Sequence, residues 1–230
     1  MIPALVYIIL RIMKNRDLKS FYCKITSGLS YRKTYVAFTM IIFLILRPCL
    51  LSSQQQALTY KVIRHGLETG WVTLHKSTAG NKTIISMNSE LNVRVLMLFK
   101  IVSTEYAEFL NGQMIHSYIF RKLNETVKAN IHTRLGDKGY EIDDASGQKK
   151  LSIGPITFNV LSMYFAEPTG LQKVYCDSQQ KMATVEKMGT DIYKLHLPDG
   201  NSNEYYYRDG ICVKVKIDSS YYTVEFIFSK

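Results

Sequence analysis

Helical periodicity is scarce in this chain, and so are the short motifs that announce chemistry. No P-loop, no G-x-S-x-G elbow and no G-x-G-x-x-G run occurs, which removes the readable signatures of nucleotide and hydrolase sites. The five histidines, His65, His75, His116, His132 and His196, contain no i, i+4 pair and no metal-ligand spacing, so neither a metal nor a cofactor is expected. Asp199, Asn201 and Asn203 imitate the start of a calcium loop. Glu204 then stands where glycine is required and Gly210 where an acid is required, so the run reads as a turn.

Cysteine is also thin. Cys23 and Cys49 lie in the first 53 residues, leaving Cys176 and Cys212. Several strands separate these two in the expected order, so both should be unpaired thiols. Cys176 falls on the apolar side of its strand with Val174; Cys212 alternates with Lys214 and Lys216.

A genuine basic excess is missing as well. The net charge is +10, but residues 1–53 hold eight Lys and Arg against one acidic residue. The rest has 21 basic and 18 acidic side chains, a net of +3, which is no footprint for nucleic acid.

The segment that concentrates the charge has a pattern of its own. Arg32 and Lys33 precede an apolar run from Tyr35 to Leu46, broken only by Thr39, and small Ser52 and Ser53 follow before Gln54 to Gln56. That order is the n-region, h-region and cleavage site of a secretory signal. Residues 1–53 are therefore expected to be a leader cut near Ser53, with 54–230 as a single exported β domain, periplasmic or in the cell envelope. An uncleaved inner-membrane anchor over 35–53 is the alternative, set against by Arg47 and Pro48. Leu46 to Cys49 has lipoprotein-box spacing, but Arg47 and Pro48 stand where small residues belong. Met13, followed by Lys14, Asn15 and Arg16, is an alternative start for such a leader.

From Leu58 onward the dominant period is two. Leu58, Tyr60 and Val62 alternate with Thr59 and Lys61; Trp71, Thr73 and His75 alternate with Val72 and Leu74. Asn111 and Gly112 form the strongest hairpin signal, and Leu91 to Val102 tilts to strand by its Val and Ile content. Asp143 to Lys150 is polar enough for a mobile connection. The exception is Gly154 to Pro168, where Pro155 suits a helix start and Ile156, Val160 and Tyr164 recur every four residues. The expected fold class is all-β, mainly antiparallel: a barrel or strongly curved sheet of about a dozen strands, with one short buried helix near 155–165.

The stretches TYKVIRHGLETGWVTL, FLNGQMIHS, PITFNVLSMYFAEP and KLHLPDGNSNEYYYRDG resemble an exported bacterial all-β family catalogued as a domain of unknown function. The resemblance covers most of residues 58–228 and carries no catalytic residue to transfer. Its implied fold is likened to the curved-sheet carriers of lipoproteins.

The expected function is an exported, non-catalytic binding or scaffold domain with room for an apolar small molecule or lipid. Its candidate ligand-binding residues are Trp71 and His75 on one strand, Met114 and Tyr118 with His116 and Phe120 on another, and Phe158, Leu161, Tyr164 and Phe165 on the helix. Plain core packing is the competing reading of these aromatic faces. The alternative class is an envelope enzyme, hydrolase-like, in which His75, His116 and an acidic residue converge in a pocket.

Overall fold

The computed structural model describes residues 54–94, 98–218 and 223–229; the expected leader lies outside them. Fourteen strands account for nearly all of it: β1 (Gln54–Arg64), β2 (Leu67–Ala79), β3 (Lys82–Arg94), β4 (Leu98–Leu110), β5 (Gln113–Leu123), β6 (Thr126–Gly136), β7 (Gly139–Asp144), β8 (Gly147–Leu151), β9 (Lys173–Cys176), β10 (Lys181–Gly189), β11 (Ile192–His196), β12 (Ser202–Arg208), β13 (Ile211–Asp218) and β14 (Thr223–Phe228). All belong to one antiparallel sheet in the order β8-β7-β6-β5-β4-β3-β2-β1-β14-β13-β12-β11-β10-β9. Consecutive strands are neighbours within β1–β8 and within β9–β14, and the first and last strands meet in the middle of the sheet, where β1 pairs with β14. Among the described residues no helix is long and apolar enough to cross a membrane.

Period two does the folding. Leu58, Tyr60 and Val62 of β1, Val72 and Leu74 of β2, Ile85 and Met87 of β3, Val215 of β13 and Phe226 of β14 all fall in one buried cluster, while the intervening residues are more exposed. Tight turns supply the reversals. Asn111 and Gly112 both have positive φ, 52° and 78°, the combination a two-residue hairpin needs to match strand twist. At Gly70 the need is space: a Cβ there would lie 2.1 Å from the Glu90 carbonyl oxygen across the β2–β3 pair.

Rolling comes from the bulges and from hydrogen bonds across the interior. Register shifts occur at Val62/Ile63, Glu108/Phe109, Arg121/Lys122, Lys187/Gly189 and Tyr206/Tyr207, each adding local twist. The Tyr60 hydroxyl donates to the Cys212 carbonyl (2.7 Å), Tyr140 OH to the Met114 carbonyl (2.8 Å), and Tyr207 OH to the Met163 carbonyl (2.8 Å). These three tyrosines are buried, and each satisfies a polar tip that would otherwise be costly there.

Two bulges overturn parities expected from the sequence. Opposite Glu108 and Phe109 stand His116 and Met114, so Ile115 is the extra residue. Met114 therefore turns inward and is fully buried, whereas His116, Tyr118 and Phe120 remain on the outer face; the expected common face of Met114 and Tyr118 does not exist. Likewise Tyr206 and Tyr207 face Lys214 and Cys212, and the extra Val213 brings Cys212 inside. Both Cys176 and Cys212 are buried and unpaired.

Three element boundaries also differ. Leu91–Val102 is not one strand: β3 ends at Arg94 and β4 begins at Leu98, directly opposite. Asp143–Lys150 is the β7–β8 hairpin, not a mobile connection, because the Asp144 carboxylate accepts from the Ser146 amide (2.8 Å) and pairs with Lys149 Nζ (3.0 Å). The expected helix over 155–165 shrinks to a 3₁₀ turn at Val160–Tyr164. Residues before it are held extended by outside partners: Met114 N donates to the Ile156 carbonyl (2.7 Å) and Tyr175 N to the Phe158 carbonyl (3.1 Å). Asn159 then caps the turn, its Oδ1 accepting from the Ser162 amide at 3.1 Å.

Candidate ligand cavity inside the rolled sheet

The inner faces of β3, β4, β5, β12 and β14 and the 3₁₀ turn enclose a cavity of about 300 Å³. Its lining mixes apolar side chains, among them Met87, Leu91, Ile119, Leu161, Tyr164 and Phe226, with the polar Ser103, Glu105, Arg121, Asp177, Asp199 and Asn203. The strand positions follow from pairing. Ser103 and Glu105 share parity with buried Ala107 and Phe109, and opposite them on β5 stand Arg121 and Ile119.

Among the polar lining residues, Arg121 Nη2 donates to Glu105 Oε1 (3.0 Å) and Ser103 Oγ to the same oxygen (3.2 Å). Asp177, just past β9, is only 6% exposed. Its Oδ2 accepts from Asn159 Nδ2 at 3.0 Å, and no donor lies in hydrogen-bonding geometry of its Oδ1. Burial pushes the Asp177 carboxyl up to about 7; the nearby Glu105 charge adds to the rise, and Ser117 and Asn159 only soften it. Asn203 Oδ1 is a second buried acceptor without a partner. The Cys176 thiol is raised by burial, and burial pushes the Cys212 thiol up to about 12, so both are protonated and poor nucleophiles at neutral pH.

A family model described as a domain of unknown function, DUF6134, matches residues 60–229. The chain belongs to this family. That description assigns no activity to a DUF6134 domain. Among solved structures, the crystal structure of a beta-barrel-like protein of domain of unknown function DUF1849 from Brucella abortus is similar to this chain. It is 11% identical, covers 78% of this chain and 97% of that chain, and has a TM-score of 0.48. No curated protein matches the chain.

The DUF6134 sheet scatters the residues singled out from the sequence. Leu161 and Tyr164 line the cavity. Phe158 and Phe165 line a second hollow of about 220 Å³ on the other side of the 3₁₀ turn, with Ile85 and Phe109. Met114 is core and borders neither hollow. Trp71 is 45% exposed and, with His75, sits on the outer face of β2; Tyr118 sits on the outer face of β5, stacked on His132 at 4.4 Å between ring centroids. His75 and His116 border none of these hollows.

The polar lining residues were missed. Glu105 and Arg121 sit at inward parity, and that was the available signal, a charge where the alternation demands an apolar residue. For Asp177 there was none, because nothing local marks the residue after a three-residue buried run as interior.

Proposed function

We propose that this chain is an exported binding domain of the cell envelope that holds one small amphiphile inside its rolled sheet. The observation carrying this reading is the cavity itself, whose lining combines apolar side chains such as Leu161, Met87 and Phe226 with the polar Asp177, Glu105 and Asn203. A volume of about 300 Å³ lies at the lower end of small-molecule sites, roughly 300–1,000 Å³. The address is the Arg32–Ser53 pattern. Expressed with this segment in a bacterial host, the protein is expected in the envelope fraction with an N-terminus between Ser52 and Ala57; a membrane-bound chain starting at Met1 or Met13 replaces the signal with an anchor.

Binding is tested with an environment-sensitive apolar fluorophore. The folded domain is expected to bind it saturably, one per chain, and to release it to lipid extract. Leu161→Trp, which fills the cavity from the turn, is expected to abolish the signal while circular dichroism stays unchanged. No saturable binding by a folded wild-type domain overturns the reading.

A further inference from the structure

Two unpartnered acceptors and an acidic wall give the cavity a chemical preference. Asp177 Oδ1 and Asn203 Oδ1 are both buried without a hydrogen-bond partner, and both residues line the cavity. A buried acceptor left unpaired is destabilising by about 1–3 kcal/mol, and native interiors keep few of them without a reason. Around them stand three carboxylates, Glu105, Asp177 and Asp199, against the single guanidinium of Arg121. That guanidinium is already turned to Glu105 (3.0 Å) and Ser103 (3.5 Å), and the Asn159 Nδ2 donor of Asp177 serves Oδ2, with Ser117 interacting with the same carboxyl. The wall therefore offers acceptors and negative charge, and a low-dielectric surround strengthens both.

We propose that the cavity selects an amphiphile with a cationic, hydrogen-bond-donating head, a long-chain primary ammonium in chemical class, and disfavours a carboxylate head. This inference rests on the binding role proposed above. An ammonium has three donors and no acceptor, which suits a lining in which Asp177 Oδ1 and Asn203 Oδ1 lack donors, and the same cavity offers Leu161, Met87 and Phe226 to its chain. A carboxylate brings acceptors to acceptors and a like charge to the acidic wall. The one cation in the lining, Arg121, would have to be drawn from Glu105.

The test compares decylamine, decanol and decanoate below their micellar concentrations and at pH 8, where the Asp177 carboxyl is ionised, each read by displacement of the fluorophore and by titration calorimetry. Decylammonium is expected to bind the wild-type domain at least about tenfold more tightly than decanoate, a difference near 1.4 kcal/mol. Asp177→Asn is expected to bring the two within about threefold, leaving decanol unchanged. Leu161→Trp should remove all three alike. Decanoate binding as tightly as decylammonium overturns the head-group preference while leaving the binding role standing, as does a ratio that persists in a folded Asp177→Asn variant. Absence of binding by all three to the folded wild type removes both. The wild-type ratio stands on its own should Asp177→Asn fail to fold.

Discussion

Asp177 shows how much one interior residue can decide. Its carboxyl titrates near 7 in the fold against an ordinary value of 3.8. Between those two pH values the native state keeps a proton that the unfolded chain has released, so stability falls as pH rises through the window and the loss is complete above 7. The full difference is on the order of 4 kcal/mol at about 1.4 kcal/mol per pH unit. The groups facing it are Glu105 of β4, Ser117 of β5, Asn159 before the turn, and Tyr175 and Cys176 on its own strand. Burial, and then the Arg134 charge, lower the His116 and His132 imidazoles, which makes stability rise with pH below the ordinary imidazole value. The comparison with Asp177→Asn isolates the aspartate, since an amide does not ionise. Denaturation midpoints at pH 4.5, 6 and 7.5 should show the variant gaining on the wild type as pH increases. A constant difference across that range removes the buried acid from the account.

At the scale of elements, the sequence made most strands legible and few of their faces at bulges. Alternation from Leu58 to Val62 and from Val72 to Leu74 reads directly because those strands pair in register over long stretches. The Asn111–Gly112 turn reads because left-handed backbone has few residues that tolerate it. Ile115 and Val213 are different. Nothing in their own chemistry marks them as the extra residue of a bulge, and one such residue moves every later side chain to the opposite face. The face of Met114, and with it the expected grouping of Met114 with Tyr118, depended on that single insertion. The helix was over-read for a related reason. Ile156, Val160 and Tyr164 do recur at helical spacing, but the carbonyls of Ile156 and Phe158 are taken by Met114 and Tyr175, partners more than fifteen residues away that no local pattern reveals. Helix propensity is a weak prior against such tertiary bonds.

At the scale of the whole molecule, pairing β1 with β14 leaves β8 and β9 as the free edges of the sheet. Exposed edges invite pairing with another chain, and β8 is guarded by the charge of Lys149 and Lys150. The edges also meet. Tyr175 lies at outward parity on β9, opposite Met182, yet it is fully buried, and its hydroxyl is 3.5 Å from Thr133 Oγ1 on the inner face of β6. β9 therefore tucks beneath the opposite side of the roll. Next to it, Gln180 Nε2 donates to Asp144 Oδ2 at 2.9 Å, joining the β9–β10 turn to the β7–β8 hairpin. Ser146, Gln180 and Lys149 hold the Asp144 carboxyl well below the usual range. Its contribution is present above the ordinary aspartate value and is lost only as pH falls through the lower folded one, so this clasp persists into mild acid. Gln180→Ala removes the clasp without touching the hairpin's own bonds. Amide exchange in β8 and β9 should then accelerate several-fold at neutral pH while β1 to β4 keep their protection, because edge strands open locally before the sheet does. Equal acceleration throughout the sheet would mean that the seam is not a separate unit, and unchanged exchange would mean that Tyr175 and the connector hold the roll without Gln180.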